Sequence, residues 1–108
     1  MKIELDHGTH IESRPDIADV MVVGGNLRYA TMKGQPNKID GGCVTKAVSN
    51  EYLTVGVKAL ATGKTKKFDD VRFVAHDPDE KMVYVSGPGM IDRVVGEIVR
   101  VRRQNLPQ

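Results

Sequence analysis

Seven basic side chains are the residues of this chain best suited to engage a partner. Lys64, Lys66 and Lys67 lie in or beside one polar turn, and Arg93, Arg100, Arg102 and Arg103 cluster near the other end of the sequence. Guanidinium groups present a planar fork of donors that matches phosphate oxygens. Each phosphate neutralised by such a group adds to affinity and to its salt dependence. If the two clusters neighbour each other, they form a cationic surface for nucleic acid or another phosphate-bearing ligand. The competing reading is a solubilising edge, since charge on an edge strand prevents sheet-to-sheet aggregation.

The other chemistry-bearing residues form no complete constellation. Ala61-Thr62-Gly63-Lys64-Thr65 has the closing residues of a phosphate-binding loop, but the opening glycine of that pattern would fall at Lys58, and Gly56 is too early. A polar hairpin turn is the simpler reading. His7, His10 and His76, with Asp6 or Asp77, are metal-ligand types. The first two flank a glycine-containing turn instead of sharing a helix face, so no metal is expected. Asp77, Asp79 and Glu80 resemble part of a calcium loop, yet Lys81 and Met82 stand where an oxygen ligand and a glycine are needed. Asp69 and Asp70, adjacent on a strand, would point to opposite faces and make a poor acid–base pair. Ser13, Ser49 and Ser86 lack a nucleophile-elbow pattern. The single cysteine, Cys43, sits in an apolar setting and reads as a small buried hydrophobe. The chain is therefore expected to be non-enzymatic and to carry no cofactor.

The elements that would position the basic residues are read from alternation and turn chemistry. Short extended segments at 2–5 and 9–12 flank Asp6-His7-Gly8-Thr9, and residues 16–19 are read as a single turn. Val20-Met21-Val22-Val23 and the alternating run from Leu27 make two strands, or one strand with a glycine bulge, around Gly24-Gly25-Asn26. Residues 33–42 read as a long loop. Residues 43–61 fit a helix through Val44, Ala47, Val48, Tyr52 and Val55. They fit two strands separated by a turn at Ser49-Asn50-Glu51 better, because β-branched residues and Gly56 cost a helix more. Val71–Ala75 and Met82–Val85 flank Asp77-Pro78-Asp79-Glu80 as a hairpin, closed off by Ser86-Gly87-Pro88-Gly89. Residues 90–103 again fit a strand or a helix, with Gly96 and many β-branched residues favouring the strand.

These segments predict a mainly β single domain over residues 1–104, a small barrel or sandwich of roughly six to eight short strands, with a frayed tail at 105–108. A C-terminal helix within that fold, or an α+β fold with helices near 43–61 and 90–103, are the alternatives. The 108 residues allow one modest core; 40% of them are apolar and 28% charged. No apolar run approaches the roughly 18 residues needed to span a bilayer as a helix, and no signal segment is evident. A cytoplasmic protein, or a viral or phage product made in the cytoplasm, is expected. The net charge is +2 and the pI about 8.8, weakly basic. Residues 1–20 carry a net −3, so the remainder carries +5. This asymmetry suits an anionic partner, or a homo-oligomeric assembly through head-to-tail contacts.

Overall fold

The computed structural model describes residues 1–23, 26–40 and 43–104, and of residues 36, 39 and 40 the backbone only. The tail expected at 105–108 and the glycine pairs at 24–25 and 41–42 lie outside this range. The described chain is all β, with strands β1 (Lys2–Asp6), β2 (Ile11–Arg14), β3 (Ile17–Val23), β4 (Asn26–Thr31), β5 (Pro36–Asp40), β6 (Cys43–Ala59), β7 (Thr65–Asp77), β8 (Met82–Gly87) and β9 (Met90–Arg103). They form one antiparallel sheet in the order β2-β1-β6-β7-β8-β9-β3-β4-β5, and an added β6–β9 pairing closes four of them into a ring. Two wings extend from that ring, β1–β2 and β3–β4–β5.

The ring closes because its long strands turn corners. In β6, residues 49–52 bulge out: Val48 pairs with Phe73 and Leu53 with Val71, so only Arg72 lies opposite. The Ser49 hydroxyl accepts a hydrogen bond from the Glu51 amide within this bulge. In β7, Asp70 adopts a left-handed backbone (φ 59°), and its extra residue is held by Gln104, whose carbonyl oxygen accepts from the Asp70 amide while its NH₂ donates to the Asp70 carboxylate, both at 2.9 Å. In β9 the corner is Gly96. Residues before it pair with β8 and residues from it onward pair with β6. A Cβ at Gly96 would meet the Lys58 carbonyl oxygen at 2.2 Å, and one at Gly87 would meet that of Asp70 at 2.1 Å. Only glycine lets the backbones come that close.

Alternation fixes which face is core. Ile3, Leu5, Leu53, Val55, Val57, Val71, Val74, Val83 and Val101 are fully buried, each worth about 1.5–3 kcal/mol by removal from water. Ile17, Val20, Leu27, Tyr29 and Phe68 extend this core beneath the wing and the hairpin. The intervening residues of the same strands face outward.

Several expectations are met. The β1–β2 turn, the β7–β8 hairpin and the β8–β9 turn fall where turn residues placed them. Asp77 caps its hairpin by accepting from the Asp79 amide at 3.0 Å, and Pro88-Gly89, with Gly89 at φ 71°, suits a type II turn. The Ala61–Thr65 segment is a hairpin turn, with the Gly63 amide donating to the Ala59 carbonyl at 2.8 Å. Other expectations are corrected. Both helix alternatives fall, because residues 43–59 and 90–103 are single long strands. Ser49-Asn50-Glu51 does not end a strand, since both halves of β6 stay paired with the same neighbour across the bulge. The turn expected at 16–19 is the start of β3. The loop expected at 33–42 contains the edge strand β5, which opens on Pro36, a residue that only an edge or a strand start accommodates. β7 begins at Thr65, its polar first half hidden from a search for apolar alternation. The described residues thus form nine strands, more than expected.

Candidate functional site

Cross-strand register assembles a row of cations that the sequence order conceals. Lys38 pairs with Arg28, Arg28 with Met21, Met21 with Arg100, Arg100 with Gly56, and Gly56 with Lys67. Residues directly opposite in a ladder project to the same face. Their neighbours Val20, Leu27, Val55 and Val101 are core residues, so this row lies on the outer face of six consecutive strands. Arg102 belongs to the adjoining row, opposite Thr54 on one side and Asp19 on the other.

Two open cavities follow this face and meet at Met21 and Val23. One, of about 610 Å³, is bordered by Thr54, Gly56, Thr65, Lys67, Arg100 and Arg102. The other, of about 590 Å³, is bordered by Asp19, Arg28, Ala30 and Lys38. Gly56 leaves the floor of the first without a side chain. Two carboxylates temper the charge. Asp19 accepts from Arg100 Nη2 at 2.8 Å and from Nε at 3.3 Å, and these hydrogen bonds hold the guanidinium more firmly protonated. Asp69 lies 3.9 Å from Lys67 Nζ and accepts a hydrogen bond from the Thr54 hydroxyl at 2.9 Å. Arg28 and Arg102 have no hydrogen-bond or ion-pair partner among the described residues.

Of the seven basic residues singled out in the sequence, Lys67, Arg100 and Arg102 come together here. Lys66 and Lys67 are successive strand residues, so they point to opposite sides. Lys66 lies over the Phe68 ring, 5.0 Å from its centroid, and 3.7 Å from Asp92. Lys64 sits in the exposed hairpin turn. Arg93 is exposed on β9 opposite Tyr84, on the part of the ring that pairs with β8. Arg103 borders the larger cavity but binds Glu51 through its guanidinium. Arg28 and Lys38 were not foreseen. Arg28 was legible as the outward residue between Leu27 and Tyr29; Lys38 was hidden in a segment read as loop. Neither could be joined to Arg100 without knowing that β3 pairs with β9.

The remaining candidates do not assemble. His7 and His10 stack with ring centroids 4.7 Å apart. His7 Nε2 lies 3.3 Å from Glu12, which also holds Arg14. His76, read as opening a turn, lies within β7 opposite Val83. Among the described residues, no three His, Cys, Asp or Glu side chains are grouped to hold a metal ion. Burial, with a smaller effect from Asp6, pushes the Cys43 thiol up from its ordinary value, which disfavours the nucleophilic thiolate.

Searches of family models, of curated proteins and of solved structures find no match to this chain.

Proposed function

We propose that this chain is a non-enzymatic domain that binds an anionic, phosphate-bearing partner through the outer face of β5, β4, β3, β9, β6 and β7. The observation that carries this reading is the in-register row of Lys38, Arg28, Arg100 and Lys67, with Arg102 beside it. These five come from three regions of the sequence, β4–β5, β7 and β9, yet they share one open trough with two apolar or bare positions, Met21 and Gly56, at its centre. Cations spread over an open surface suit an extended polyanion better than a compact ligand, which needs enclosure.

Charge reversal tests the reading. Arg28→Glu with Arg102→Glu is expected to weaken binding of a fluorescent polyanion by about tenfold or more at low salt, and to flatten its salt slope. Arg93→Glu, elsewhere on the ring, is expected to change both much less. Equal effects of the two variants would leave only nonspecific attraction and reject the site.

A second reading, a homo-oligomeric assembly protein, is favoured by a different observation. The outward residues of the ring near β8 include Ile91, 90% exposed, with Val95 and Val48 also exposed. Ile91, Ser86, Phe73 and Val48 lie in register across β9, β8, β7 and β6, forming a broken apolar row that self-association would cover. Light scattering at high micromolar concentration tests it: a monomeric mass rejects the assembly, and a multimer that Ile91→Asp dissociates supports it.

A further inference from the structure

We infer that the partner's recognised feature is the sugar–phosphate backbone of duplex nucleic acid, taken without reading or stacking its bases; this rests on the anionic-partner reading above. The first ground is where the aromatic residues lie. Single-strand binders draw about 1–3 kcal/mol per base from stacking on exposed rings. Here Tyr29 and Phe68 are buried. The Tyr52 ring lies beneath the Arg72 guanidinium at 4.9 Å, and Phe73 and Tyr84 project from the other outer surface, with Ile91. These are all the aromatic residues of the chain. Tyr29 borders the trough, but at 6% exposed and with the Arg14 guanidinium 5.7 Å from its ring centroid it offers no open face for stacking.

The second ground is the state of the neutral polar groups there. Base edges are read by side chains with hydrogen-bonding capacity to spare. The Thr54 hydroxyl already donates to Asp69, and the Gln104 amide uses both its oxygen and its nitrogen on Asp70. Asn37 donates to the Gln35 carbonyl at 3.4 Å, and the Thr65 hydroxyl lies at the outer end of the trough. Along its length the groups on offer are chiefly the Arg28 and Arg102 guanidiniums, the groups that position a protein on phosphates.

The third ground is length. The row crosses five strand intervals of about 4.8 Å, or about 24 Å in all, on a molecule measuring 35 × 33 × 22 Å. A surface confined to ionic contacts gains most from the partner of highest charge density. Duplex DNA carries a charge about every 1.7 Å of axis, and its counterion release per contact exceeds that of a single strand.

The test is fluorescence anisotropy across a salt series with duplexes of about 20 base pairs, AT-only, GC-only and mixed, an oligo-dT strand of equal length, and labelled heparin. The duplexes are expected to bind alike within about threefold, with a log–log salt slope near −4 for about four phosphate contacts. The dT strand is expected to bind about fivefold or more weakly, with a shallower slope. Equal or tighter binding of dT, or a large preference among the duplexes, overturns the inference. Binding of heparin alone also overturns it while leaving the anionic-partner reading intact. Binding of no probe overturns both.

Discussion

Asp19 sets how much of the cationic row a partner can use. Its carboxylate engages Arg100 at two points, so an incoming phosphate must displace it. Asp19→Asn is expected to tighten polyanion binding and steepen the salt slope by about 0.9, the increment for one added contact. Both side chains are partly exposed, 42% for Arg100 and 24% for Asp19, and such pairs are worth about 0–1 kcal/mol, so the variant should fold normally. Weaker binding by Asp19→Asn would show that Arg100 needs its carboxylate for positioning. Cys43 supplies a separate check at this scale. With its thiol raised by burial and by Asp6, its alkylation rate should reach half-maximum at a pH above the value near 8.5 of a free thiol. A midpoint below that value would mean an activated cysteine, and the non-enzymatic reading would need revision.

The strand corners are where the elements answer to single residues. Gly96→Ala drives a Cβ into the Lys58 carbonyl and is expected to cost about 1–3 kcal/mol or more, seen as a lower urea midpoint. Gly56→Ala meets only side-chain atoms, none nearer than 3.4 Å, and a strand gains slightly from losing a glycine. It is expected to leave the midpoint unchanged or raised, which separates a tight approach from glycine content in general. Leu53→Ala, at the fully buried residue that resumes pairing after the β6 bulge, should cost about 2–5 kcal/mol. These corners also explain how far the sequence could be read. Alternation identified Leu27/Tyr29 and Val55/Val57 as strand faces, and β-branching favoured strand over helix at 43–61 and 90–103; the alternation of Val71 and Phe73 did not carry over, because past the β6 bulge Val71 and Val74 are buried and Phe73 turns outward. Alternation breaks wherever a residue is inserted, at 49–52 and at Asp70, so one bent strand looks like two short ones. The first half of β7 and all of β5 escaped because their outward residues are charged and their apolar ones few. The site depended on pairings between β3 and β9 and between β9 and β6, residues about 80 and 45 positions apart, which no local pattern encodes.

At the scale of the whole molecule, the ring and its β3–β4–β5 wing turn scattered cations into one surface. The radius of gyration, 12.8 Å, is that of a compact domain of this length, and the row is carried on hydrogen-bonded strands and not on loops. Of the −3 balance of residues 1–20, β1 and β2 carry −1, with Glu4, Asp6 and Glu12 against Lys2 and Arg14, and Asp16 and Asp19 carry the other −2. A polyanion is expected to lie along the row, with its axis across β9. The most direct measurement is a two-dimensional NMR titration of ¹⁵N-labelled protein with a short duplex, read by residue. Shift changes are expected to concentrate at Arg28, Lys38, Gly56, Lys67, Arg100 and Arg102 and to diminish as salt is added. Changes centred instead on Ile91, Arg93 and Tyr84, or absent from the row at saturating duplex, would contradict the assignment of this face.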